Sequence, residues 1–536
     1  MAADNASNLF LGIDLSTQQV KFIVINDELA TVYEDAVKFD EDLPEFNTEG
    51  GVHLDKSSQS ATSPTLLWVK AMDLALDRMK TSNKVDFSKI VAVSGAGQQH
   101  GSVYWKEGSE KLLSTLQGDK TLYEQFNANE TFSVSNSPIW MDSSTSKQCA
   151  YLEKVIGGAD VLARLTGSRG YERFTGNQIA KIFETMEDKY RNTERIGLVS
   201  SFGATIFLGK YAAIDEADGA GMNLMNIKTK TWVDNCLDAC APDLKSKLGD
   251  IVPSSQVLGN ISDYMVDRYG FQLHCKIVAF TGDNPASLAG MRLKTGEVIV
   301  SLGTSDTAFL WLSEPEPALE GHIFGNPVDK DAYMALLCYK NGSLLRERIR
   351  DECANGSWND FERILRSTPK GNDGNIGIYY DVAEITPSNA HGTFRFDVND
   401  SEVGSFDKAT EVRACVEGQF LAKRVHAEKL GFGLGSKSSR ILATGGASSS
   451  KEILQVLSDV FNLPVYVLDV PNSAALGCAY RARHSWLGVD KVSFSDSLVN
   501  APDFKCVAKP CTEASLIYDK MTERYKKIEL AHVRNH

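Results

Sequence analysis

The chain contains 536 residues, of which 43% are hydrophobic and 24% are charged, and its formal net charge is -14. A chain of this length exceeds what a single hydrophobic core supports, so we expect two large domains. The negative balance repels phosphate backbones and anionic membrane surfaces, which argues against nucleic acid and membranes as partners.

The first predicted element is a β-hairpin over residues 9–26, in which two apolar, β-rich runs flank the polar turn Ser16-Thr17-Gln18. The backbone N–H groups and hydroxyls of such a turn suit phosphate oxygens. Asp14, just before the turn, is suited to hold Mg²⁺ through water. The alternative interpretation is a surface hairpin with Asp14 as an ordinary turn residue, and the hairpin alone does not decide between the two.

A helix is predicted to begin at Ser63 and Pro64, with serine as the N-cap and proline at the first position. Further along, residues 89–94 read as a short buried strand, and a glycine-rich segment with Gln99 and His100 follows. Ligands of α/β sheets gather beyond the C-terminal ends of strands, so this segment is a candidate binding site. The alternative is a structural amide and a structural histidine.

A polar, glycine-punctuated loop then carries Arg173, and residues 179–213 are predicted to be mostly helical. Residues 276–281 form another buried-type strand, and a Gly-Asp-Asn-Pro run follows it. Because the Asn-Pro pair begins a helix, Asp283 is expected at a strand end that faces a helix N-terminus. A carboxylate there is either a general base or a capping partner of the helix.

A second hairpin is predicted over residues 298–312, with the small polar turn Gly303-Thr304-Ser305. Residues 15–23 align on residues 302–310 without gaps, and leucine, threonine and phenylalanine coincide. Two such hairpins, one opening each half of the chain, favour two similarly built domains.

Residues 369–400 are predicted to be irregular, and a strand over residues 439–444 leads into Gly445-Gly446-Ala447. This segment lacks bulky side chains, so a nucleotide's base and ribose can lie against its backbone. A plain Gly-Gly turn is the alternative. The alternation of strands and helices predicts an α/β fold, and we place the domain boundary so that the domains are residues 1–293 and 294–536.

No run of residues has the apolar length of a membrane span, and the N-terminus lacks an apolar signal core, so we expect a cytoplasmic protein. The ten cysteines are spread singly along the chain. Cys236 and Cys240 are the closest pair, but no His or Cys completes a zinc set near them. We therefore expect reduced core thiols.

Together these features resemble the FGGY carbohydrate kinases, which belong to the superfamily of actin, heat-shock-70 and hexokinase ATPases. The motifs that carry the resemblance are residues 95–101 (GAGQQHG), 171–178 (YERFTGNQ) and 280–287 (FTGDNPAS). They look like the branch of the family that acts on D-xylulose. The resemblance implies two ribonuclease-H-like domains that flank a deep cleft, with the sugar bound mainly by residues 1–293 and ATP mainly by residues 294–536.

The resemblance further implies transfer of the γ-phosphoryl group of ATP to the 5-hydroxyl of D-xylulose, with Asp283 as the base that accepts the hydroxyl proton. We expect a monomer. Asp14 is the implied anchor of Mg²⁺. The implied sugar ligands are Gln99, His100, Arg173, Asp283 and Asn284. The implied ATP ligands are Thr17, Gln18, Gly303, Thr304, Ser305, Trp358, Gly445, Gly446, Ala447 and Ser450. For Trp358 the alternative is core packing.

The chain also departs from the wider family. Many members carry a Gly-Glu-Arg-x-Pro run, whereas this chain has Glu384-Ile385-Thr386-Pro387 there, so we assign that stretch no catalytic role. Ser449-Ser450 stands where related members often have asparagine, which leaves one adenine or ribose contact open.

Three other functions are weighed. A kinase of ribulose, gluconate or glycerol from the same family is disfavoured by the motif around His100 and Arg173. A heat-shock-70-like ATPase module should carry a separate peptide-binding β-domain, whereas the α/β pattern here runs almost to the end. A catalytically silent sugar sensor is disfavoured because Asp14 and Asp283 are both retained.

Overall fold

The structure is a computed structural model, and it describes residues 8–433, 439–467 and 472–533. The chain separates into two compact units, each built around its own sheet. The first unit comprises residues 1–292, 323–331 and 470–501, and the second comprises residues 293–322, 332–469 and 502–536.

Strands and helices alternate along the chain, as the α/β prediction requires. The strands are β1 Leu9–Leu15, β2 Gln19–Asn26, β3 Thr31–Lys38, β4 His53–Asp55, β5 Ser60–Pro64, β6 Ile90–Gly97, β7 Ser102–Lys106, β8 Phe132–Val134, β9 Asn136–Pro138, β10 Thr193–Leu198, β11 Ile214–Asp215, β12 Ile251–Val252, β13 Val257–Asn260, β14 Lys276–Val278, β15 Thr281–Gly282, β16 Val298–Leu302, β17 Asp306–Leu312, β18 His322–Gly325, β19 Tyr333–Tyr339, β20 Ile376–Tyr380, β21 Gly392–Phe396, β22 Ile441–Thr444, β23 Val465–Val467 and β24 Lys505–Ala508. The helices are α1 Phe39–Asp42, α2 Thr65–Thr81, α3 Ser109–Leu113, α4 Leu122–Ala128, α5 Ser146–Ile156, α6 Ala159–Thr166, α7 Thr175–Thr185, α8 Glu187–Arg191, α9 Val199–Leu208, α10 Glu216–Gly219, α11 Asp234–Cys240, α12 Leu244–Leu248, α13 Asp263–Tyr269, α14 Asp283–Gly290, α15 Ser343–Cys353, α16 Trp358–Ser367, α17 Lys408–Lys429, α18 Lys451–Phe461, α19 Ser473–Leu487, α20 Phe494–Ser497 and α21 Ala514–Ile528.

The sheet of the first unit has the order β13-β14-β6-β1-β2-β3, and β15 also pairs with β6. The predicted hairpin is present, because β1 and β2 are antiparallel neighbours. β1 and β15 both run parallel to β6, and the register places Leu15 beside Gly97 and Gly97 beside Gly282. Three strands therefore end at one edge, and the residues that follow each of them are brought together there.

The late helix α19 belongs to the first unit and packs against β1 and α14 at very short distance. A Cβ atom at Gly12 would lie 2.0 Å from the Ala475 carbonyl oxygen, and one at Gly477 would lie 2.0 Å from the Ala286 carbonyl oxygen. Glycine is required at both positions because any side chain would overlap the backbone of the neighbouring element. The buried Arg481 on the same helix donates a hydrogen bond of 3.0 Å to the carbonyl that follows β14.

The second unit repeats the hairpin arrangement. Its sheet contains β19, β17, β16, β22, β23 and β24 in that order. The predicted second hairpin is confirmed by the antiparallel pairing of β16 with β17. β16 runs parallel to β22, with Ser301 beside Thr444, so the turn after Leu302 and the glycines after β22 start from the same edge.

Two local predictions are wrong, and a third holds with one interruption. Ser63 and Pro64 belong to strand β5, and the helix begins at Thr65; the Ser63 hydroxyl donates instead to the Gly51 carbonyl at 2.7 Å. The span 179–213 is mostly helical, as predicted, through α7, α8 and α9, but strand β10 interrupts it and pairs with β7. The span 369–400 contains the antiparallel pair β20 and β21. In each case pairing with a distant or neighbouring strand overrides the local pattern.

None of the helices in the described ranges combines the length and the apolar character that a membrane crossing requires. Within the same ranges all ten cysteines remain thiols, six of them buried and four half-buried. The expectation of reduced thiols is thus met, although not every thiol lies in the core.

Candidate active site

The shared strand edge of the first unit carries the turn of the opening hairpin. Ser16 N–H donates to the Gln19 carbonyl at 3.0 Å and closes the turn after β1. The Thr17 hydroxyl lies 3.4 Å from Gln98 Oε1, at the end of β6, and Trp140 Nε1 donates to the same hydroxyl at 2.9 Å. The turn predicted to meet phosphates is therefore tied to the neighbouring strand end.

Asp14 is buried just before this turn. Its Oδ2 accepts hydrogen bonds from the Ser16 hydroxyl at 2.6 Å and from Lys21 Nζ at 3.3 Å. Its Oδ1 is buried and has no hydrogen-bond partner among the described residues. A buried carboxylate oxygen without a partner is costly unless a ligand completes it.

Asp14 fits Mg²⁺ in one particular way. No three His, Cys, Asp or Glu side chains converge as a metal cage within residues 8–433, 439–467 and 472–533. Mg²⁺ in kinase sites is usually held by one or two carboxylates together with water and substrate phosphates. The unpartnered oxygen of Asp14 therefore suits an ion that arrives with its other ligands.

Asp283 follows β15 and is the first residue of α14. The cap position is occupied by Gly282, which makes no side-chain capping bond. Asp283 Oδ1 accepts hydrogen bonds from the Asn284 N–H at 2.8 Å and from Asn284 Nδ2 at 3.1 Å. Burial, together with the negative charge of Asp14, raises the pKa of Asp283 to about 7. A carboxylate with a pKa near neutrality is suited to accept a proton.

Gln99 connects this carboxylate to the neighbouring strand end. Asn284 Nδ2 donates to Gln99 Oε1 at 2.8 Å as well as to Asp283. Gln99 is almost completely buried, and its Nε2 makes no hydrogen bond of ordinary geometry with any described residue. Three of the predicted sugar ligands, Gln99, Asp283 and Asn284, thus form one connected group.

His100 is held in a defined tautomer. Its Nδ1 lies 2.8 Å from the Gly221 carbonyl oxygen, and because a carbonyl only accepts, Nδ1 carries the proton and Nε2 is an acceptor. Burial, together with the positive charge of Arg173, lowers the pKa of His100 to about 3, so the ring is neutral at ordinary pH. The ring stacks on Phe174 with 4.4 Å between centroids.

Arg173 is placed by the same aromatic residues. Its guanidinium carbon lies 5.0 Å from the Tyr171 ring centre and 5.8 Å from the Phe174 ring centre. The Thr175 hydroxyl, at the start of α7, donates to the His100 carbonyl at 2.9 Å and fixes the two segments to each other. All five predicted sugar ligands therefore belong to one neighbourhood of the first unit.

The second unit contains a cavity of about 530 Å³ beside its own hairpin turn. Such a volume is typical of small-molecule sites. The lining residues are Leu302, Gly303, Thr304, Ser343, Arg346, Glu347, Trp358, Glu362, Gly446, Ala447, Ser449, Ser450 and Ile453. Six of the ten predicted ATP ligands are among them, whereas Ser305 and Gly445 of this unit, and Thr17 and Gln18 of the first unit, are not. Of the lining residues on α15, α16 and α18, only Trp358 was predicted; no local motif marks Ser343, Arg346, Glu347, Glu362 and Ile453.

The cavity wall depends on close backbone packing. Gly445 has φ +86°, and a Cβ there would lie 2.5 Å from the Leu302 carbonyl oxygen, so this position requires glycine. A Cβ at Gly446 would meet no atom within 4 Å, so this glycine leaves open space beside the cavity. Trp358 is 39% exposed, and the Arg350 guanidinium lies 4.8 Å from its ring centre. Trp358 is thus not a core residue.

A buried ion cluster lies next to the hairpin turn Gly303-Thr304-Ser305 of the second unit. Arg346 donates to the two carboxylate oxygens of Asp306 at 3.0 and 3.1 Å, and Lys423 Nζ lies 2.9 Å from Asp306 Oδ2. All three side chains are at most 1% exposed. Despite burial, the two cations hold the pKa of Asp306 below its usual value. Two cations thus face one carboxylate next to the turn that also lines the cavity, and burial lowers the pKa of Lys423.

Glu384 has a structural task in the same unit. It accepts hydrogen bonds from the N–H groups of Lys340 at 2.6 Å and Asn341 at 3.1 Å, and from Asn341 Nδ2 at 2.8 Å. Its oxygens are therefore occupied by the loop after β19. This agrees with assigning no catalytic role to the stretch that starts at Glu384.

Comparison with known proteins places this geometry in a family. Residues 125–290 match the N-terminal domain of the FGGY family of carbohydrate kinases, and residues 298–486 match its C-terminal domain. A xylulose kinase from Rattus norvegicus is 58% identical over 519 residues, which cover 97% of this chain and 96% of that protein. Xylulose kinase 2 from Arabidopsis thaliana is 49% identical over 500 residues, covering 91% of this chain and 89% of that protein.

The fold agrees with solved structures of the same kind. A crystal structure of a xyloylose kinase from Brucella ovis superimposes with a TM-score of 0.79 at 19% identity, covering 98% of this chain and 99% of that chain. The predicted α/β fold with two sheet-rich domains is confirmed. With both family domains matched and relatives this similar over nearly the whole length, the chain belongs to the FGGY family of carbohydrate kinases.

Proposed function

We propose that the chain is an ATP-dependent kinase that transfers the γ-phosphoryl group of ATP to the 5-hydroxyl of D-xylulose and yields D-xylulose 5-phosphate and ADP. The observation that carries this proposal is the 58% identity to a xylulose kinase over 97% of the chain. On this proposal, the residues around Asp283 bind and activate the sugar, and the cavity of the second unit binds the nucleotide.

Asp283 acts as the base. Its carboxylate accepts the proton of the 5-hydroxyl while that oxygen bonds to the γ-phosphorus and the bond from phosphorus to the ADP oxygen breaks. The two hydrogen bonds from Asn284 hold the carboxylate in one orientation. General-base assistance of this kind contributes roughly 10²–10⁴-fold to a rate.

The sugar is read by matched donors and acceptors. The neutral His100 ring offers Nε2 as an acceptor, whereas Arg173, Asn284 and the amide of Gln99 offer N–H groups. A neutral polyol is recognised well by such a set, because each buried polar group left unmatched costs roughly 1–3 kcal/mol. The aromatic support of His100 and Arg173 keeps both groups in place without ligand.

The nucleotide is bound mainly by the second half of the chain, residues 294–536, and the sugar mainly by residues 1–293. The base and ribose lie against Gly446 and Ala447, with Trp358 and Ser450 on the cavity wall. The turn Gly303-Thr304-Ser305 offers N–H and hydroxyl groups to phosphate oxygens. Gly445 contributes through its backbone. Thr17 and Gln18 remain proposed phosphate ligands of the first hairpin.

Asp14 is the proposed Mg²⁺ anchor, through its buried and unpartnered Oδ1. When bound, Mg²⁺ neutralises phosphate charge during phosphoryl transfer. Asp14 itself orders the turn by accepting from Ser16 and Lys21.

We further propose that the enzyme works as a monomer in the cytoplasm, on small molecules only. The net charge of -14 supports the restriction to small molecules, because it disfavours binding to nucleic acid and anionic surfaces. Sedimentation equilibrium across a concentration series tests the monomer directly, and a concentration-dependent mass would contradict it.

The function is tested with a coupled assay of ADP release in the presence of Mg²⁺ and ATP. The acceptors are D-xylulose, D-ribulose, gluconate and glycerol, and Asp283→Asn is the control for background hydrolysis. Selective turnover of D-xylulose is the expected result. Preferred turnover of another acceptor, or turnover of none, contradicts the proposal.

A further inference from the structure

Asp218, on the short helix α10, is a buried carboxylate that the proposed reaction does not use. Its Oδ2 accepts a hydrogen bond of 2.5 Å from the Ser200 hydroxyl. Its Oδ1 is buried and has no hydrogen-bond partner of ordinary geometry within the described residues. An acceptor left open in the interior requires an explanation.

The unsatisfied oxygen lies beside an unsatisfied donor. A Cβ atom at Gly282 would come within 2.8 Å of Asp218 Oδ1 and within 2.9 Å of the Gln99 amide carbon. The carboxylate oxygen and the amide group therefore surround the same backbone carbon, in space that only glycine leaves open. Gln99 Nε2 is a buried amide donor that makes no hydrogen bond of ordinary geometry with any described residue.

The orientation of the Gln99 amide makes the two groups complementary. Its Oε1 is occupied by Asn284 Nδ2 at 2.8 Å, so its NH₂ end is the one left to face an acceptor. The same Asn284 Nδ2 donates to Asp283 at 3.1 Å. One amide group thus stands between the open oxygen of Asp218 and the residue that orients the base.

We propose that Asp218 is a positioning residue for the sugar-phosphorylation step: it fixes the Gln99 amide, which in turn orients Asn284 and Asp283. The role of Asp283 in this statement rests on the proposed function. Asp218 touches neither sugar nor nucleotide in this arrangement and acts only through Gln99.

The electrostatic surroundings argue against a purely stabilising role for Asp218. Burial raises its pKa well above the usual range, and the carboxylates of Asp215 and Asp283 add to that effect, whereas the bonds from Ser200 and the Gln99 side chain favour its charged form. The backbone capping of α10 is already provided by Asp215, whose Oδ1 accepts from the Asp218 N–H at 2.8 Å. An acid at position 218 therefore costs stability, and positioning Gln99 gives a reason for its presence.

The test exchanges donor and acceptor between the two positions. With the Ser200 hydroxyl still donating to position 218, Asp218→Asn puts an NH₂ group against the Gln99 NH₂ group. Gln99→Glu puts a carboxylate against Asp218. In the double variant, the amide at position 218 donates to the carboxylate at position 99, which still accepts from Asn284. The charge of the pair is then the same as in the wild type.

Each single variant is expected to lower kcat/KM for D-xylulose roughly tenfold or more, because one buried polar contact becomes repulsive, while KM for ATP stays within about twofold. The double variant is expected to recover most of the loss. Unchanged kcat/KM in both single variants, or a double variant that loses the product of the two effects, overturns the proposal. Should Asp218→Asn not fold alone, the double variant is compared with Gln99→Glu, and a double variant no more active than Gln99→Glu overturns the proposal, because Gln99 is itself a proposed sugar ligand.

Asp73→Asn is the matched control for loss of a buried acid. The Asp73 carboxylate accepts hydrogen bonds from the N–H groups of Leu122 at 3.1 Å and Tyr123 at 2.8 Å. These bonds do not involve Gln99, Asn284 or Asp283. The Asp73→Asn variant is expected to change the unfolding midpoint and to leave kcat/KM for D-xylulose unchanged. The wild type is assayed first: if it phosphorylates a different acceptor, the proposed function fails and the exchange is run on that acceptor, and if it phosphorylates none, both proposals fail.

Discussion

The two hairpin turns share a backbone frame but differ in their electrostatics. In the first, Asp14 precedes the turn, and one of its oxygens is buried with no hydrogen-bond partner in the part of the chain that the structure describes. In the second, Asp306 follows the turn, and its carboxylate is bound by Arg346 and Lys423. The carboxylate of the first hairpin therefore has an oxygen available to a cation. The carboxylate of the second hairpin is already paired with two cations.

The difference shows how one supersecondary motif serves two tasks. A carboxylate before the turn suits a metal ion, because one of its oxygens has no hydrogen-bond partner among the described residues. A carboxylate after the turn, paired with two cations, stabilises the turn and leaves N–H groups and positive potential for phosphate oxygens. The alignment of residues 15–23 with 302–310 did not reveal this, since the two acids lie at different offsets from the turn.

The largest expected effect concerns the acid next to the first hairpin's strand edge. Asp283→Asn keeps the shape of the side chain but removes the proton acceptor, so kcat is expected to fall roughly 10²–10⁴-fold. Sugar binding, measured by calorimetry with D-xylulose, is expected to remain detectable because the other ligands are intact. Near-normal turnover in this variant would remove Asp283 from its role.

The second-largest expected effect concerns Asp14, the proposed Mg²⁺ anchor of the first hairpin. Asp14→Ala is expected to lower turnover on the order of 100-fold at fixed Mg²⁺ and to raise the Mg²⁺ concentration required, because the only proposed protein ligand is gone. D-xylulose affinity is the control and is expected to change little. A Mg²⁺ titration identical to that of the wild type would show that Asp14 does not hold the metal.

The charge at the first hairpin's edge also predicts a pH profile. Burial, together with the negative charge of Asp14, raises the pKa of Asp283 to about 7. The base works only when ionised, so kcat/KM is expected to fall roughly tenfold per pH unit below 7. His100, with a pKa of about 3, stays neutral and adds no limb in this range. A limb near pH 4, the ordinary range of an aspartate, would contradict the assignment.

The smallest expected effect concerns Lys423, in the buried ion cluster beside the second hairpin turn. Lys423→Met leaves Asp306 bound to Arg346 alone, so the free energy of unfolding is expected to drop by roughly 1–3 kcal/mol. KM for ATP is expected to rise, because positive charge behind the turn is lost, while KM for D-xylulose is unchanged. Chemical denaturation and steady-state kinetics give the two readouts.

Lys429→Met is the matched control on the same helix. Lys429 is 44% exposed and pairs with Glu320 at 2.8 Å, so its loss is expected to cost less than about 1 kcal/mol and to leave KM for ATP unaltered. Equal effects of the two substitutions on KM for ATP would mean that the buried cluster has no special relation to the phosphate turn.

Much of the site follows from local sequence, because strand alternation and small polar turns are read within a few residues. Both hairpins and the place of Asp283 at a strand end were predictable in this way. Arg346, Lys423 and Asp218 were not, since each acts on a partner brought close only by the folded sheet. The strand made of Ser63 and Pro64 was missed for a related reason: its pairing with β9 overrides a local helix-start signal.

The helix α19 gives the first unit a particular order of assembly. Residues 473–487 fill the groove over Gly12 and Gly290, yet the ribosome makes them only after nearly all of the second unit. The face of the first sheet that α19 covers therefore stays exposed until residues 473–487 have been synthesised. A fragment that stops at residue 293 is expected to bind hydrophobic dyes and to be digested by trypsin, and protection comparable to the full chain would refute this. Nascent chains of this protein thus cover their first sheet with α19 only after most of the second unit has been made.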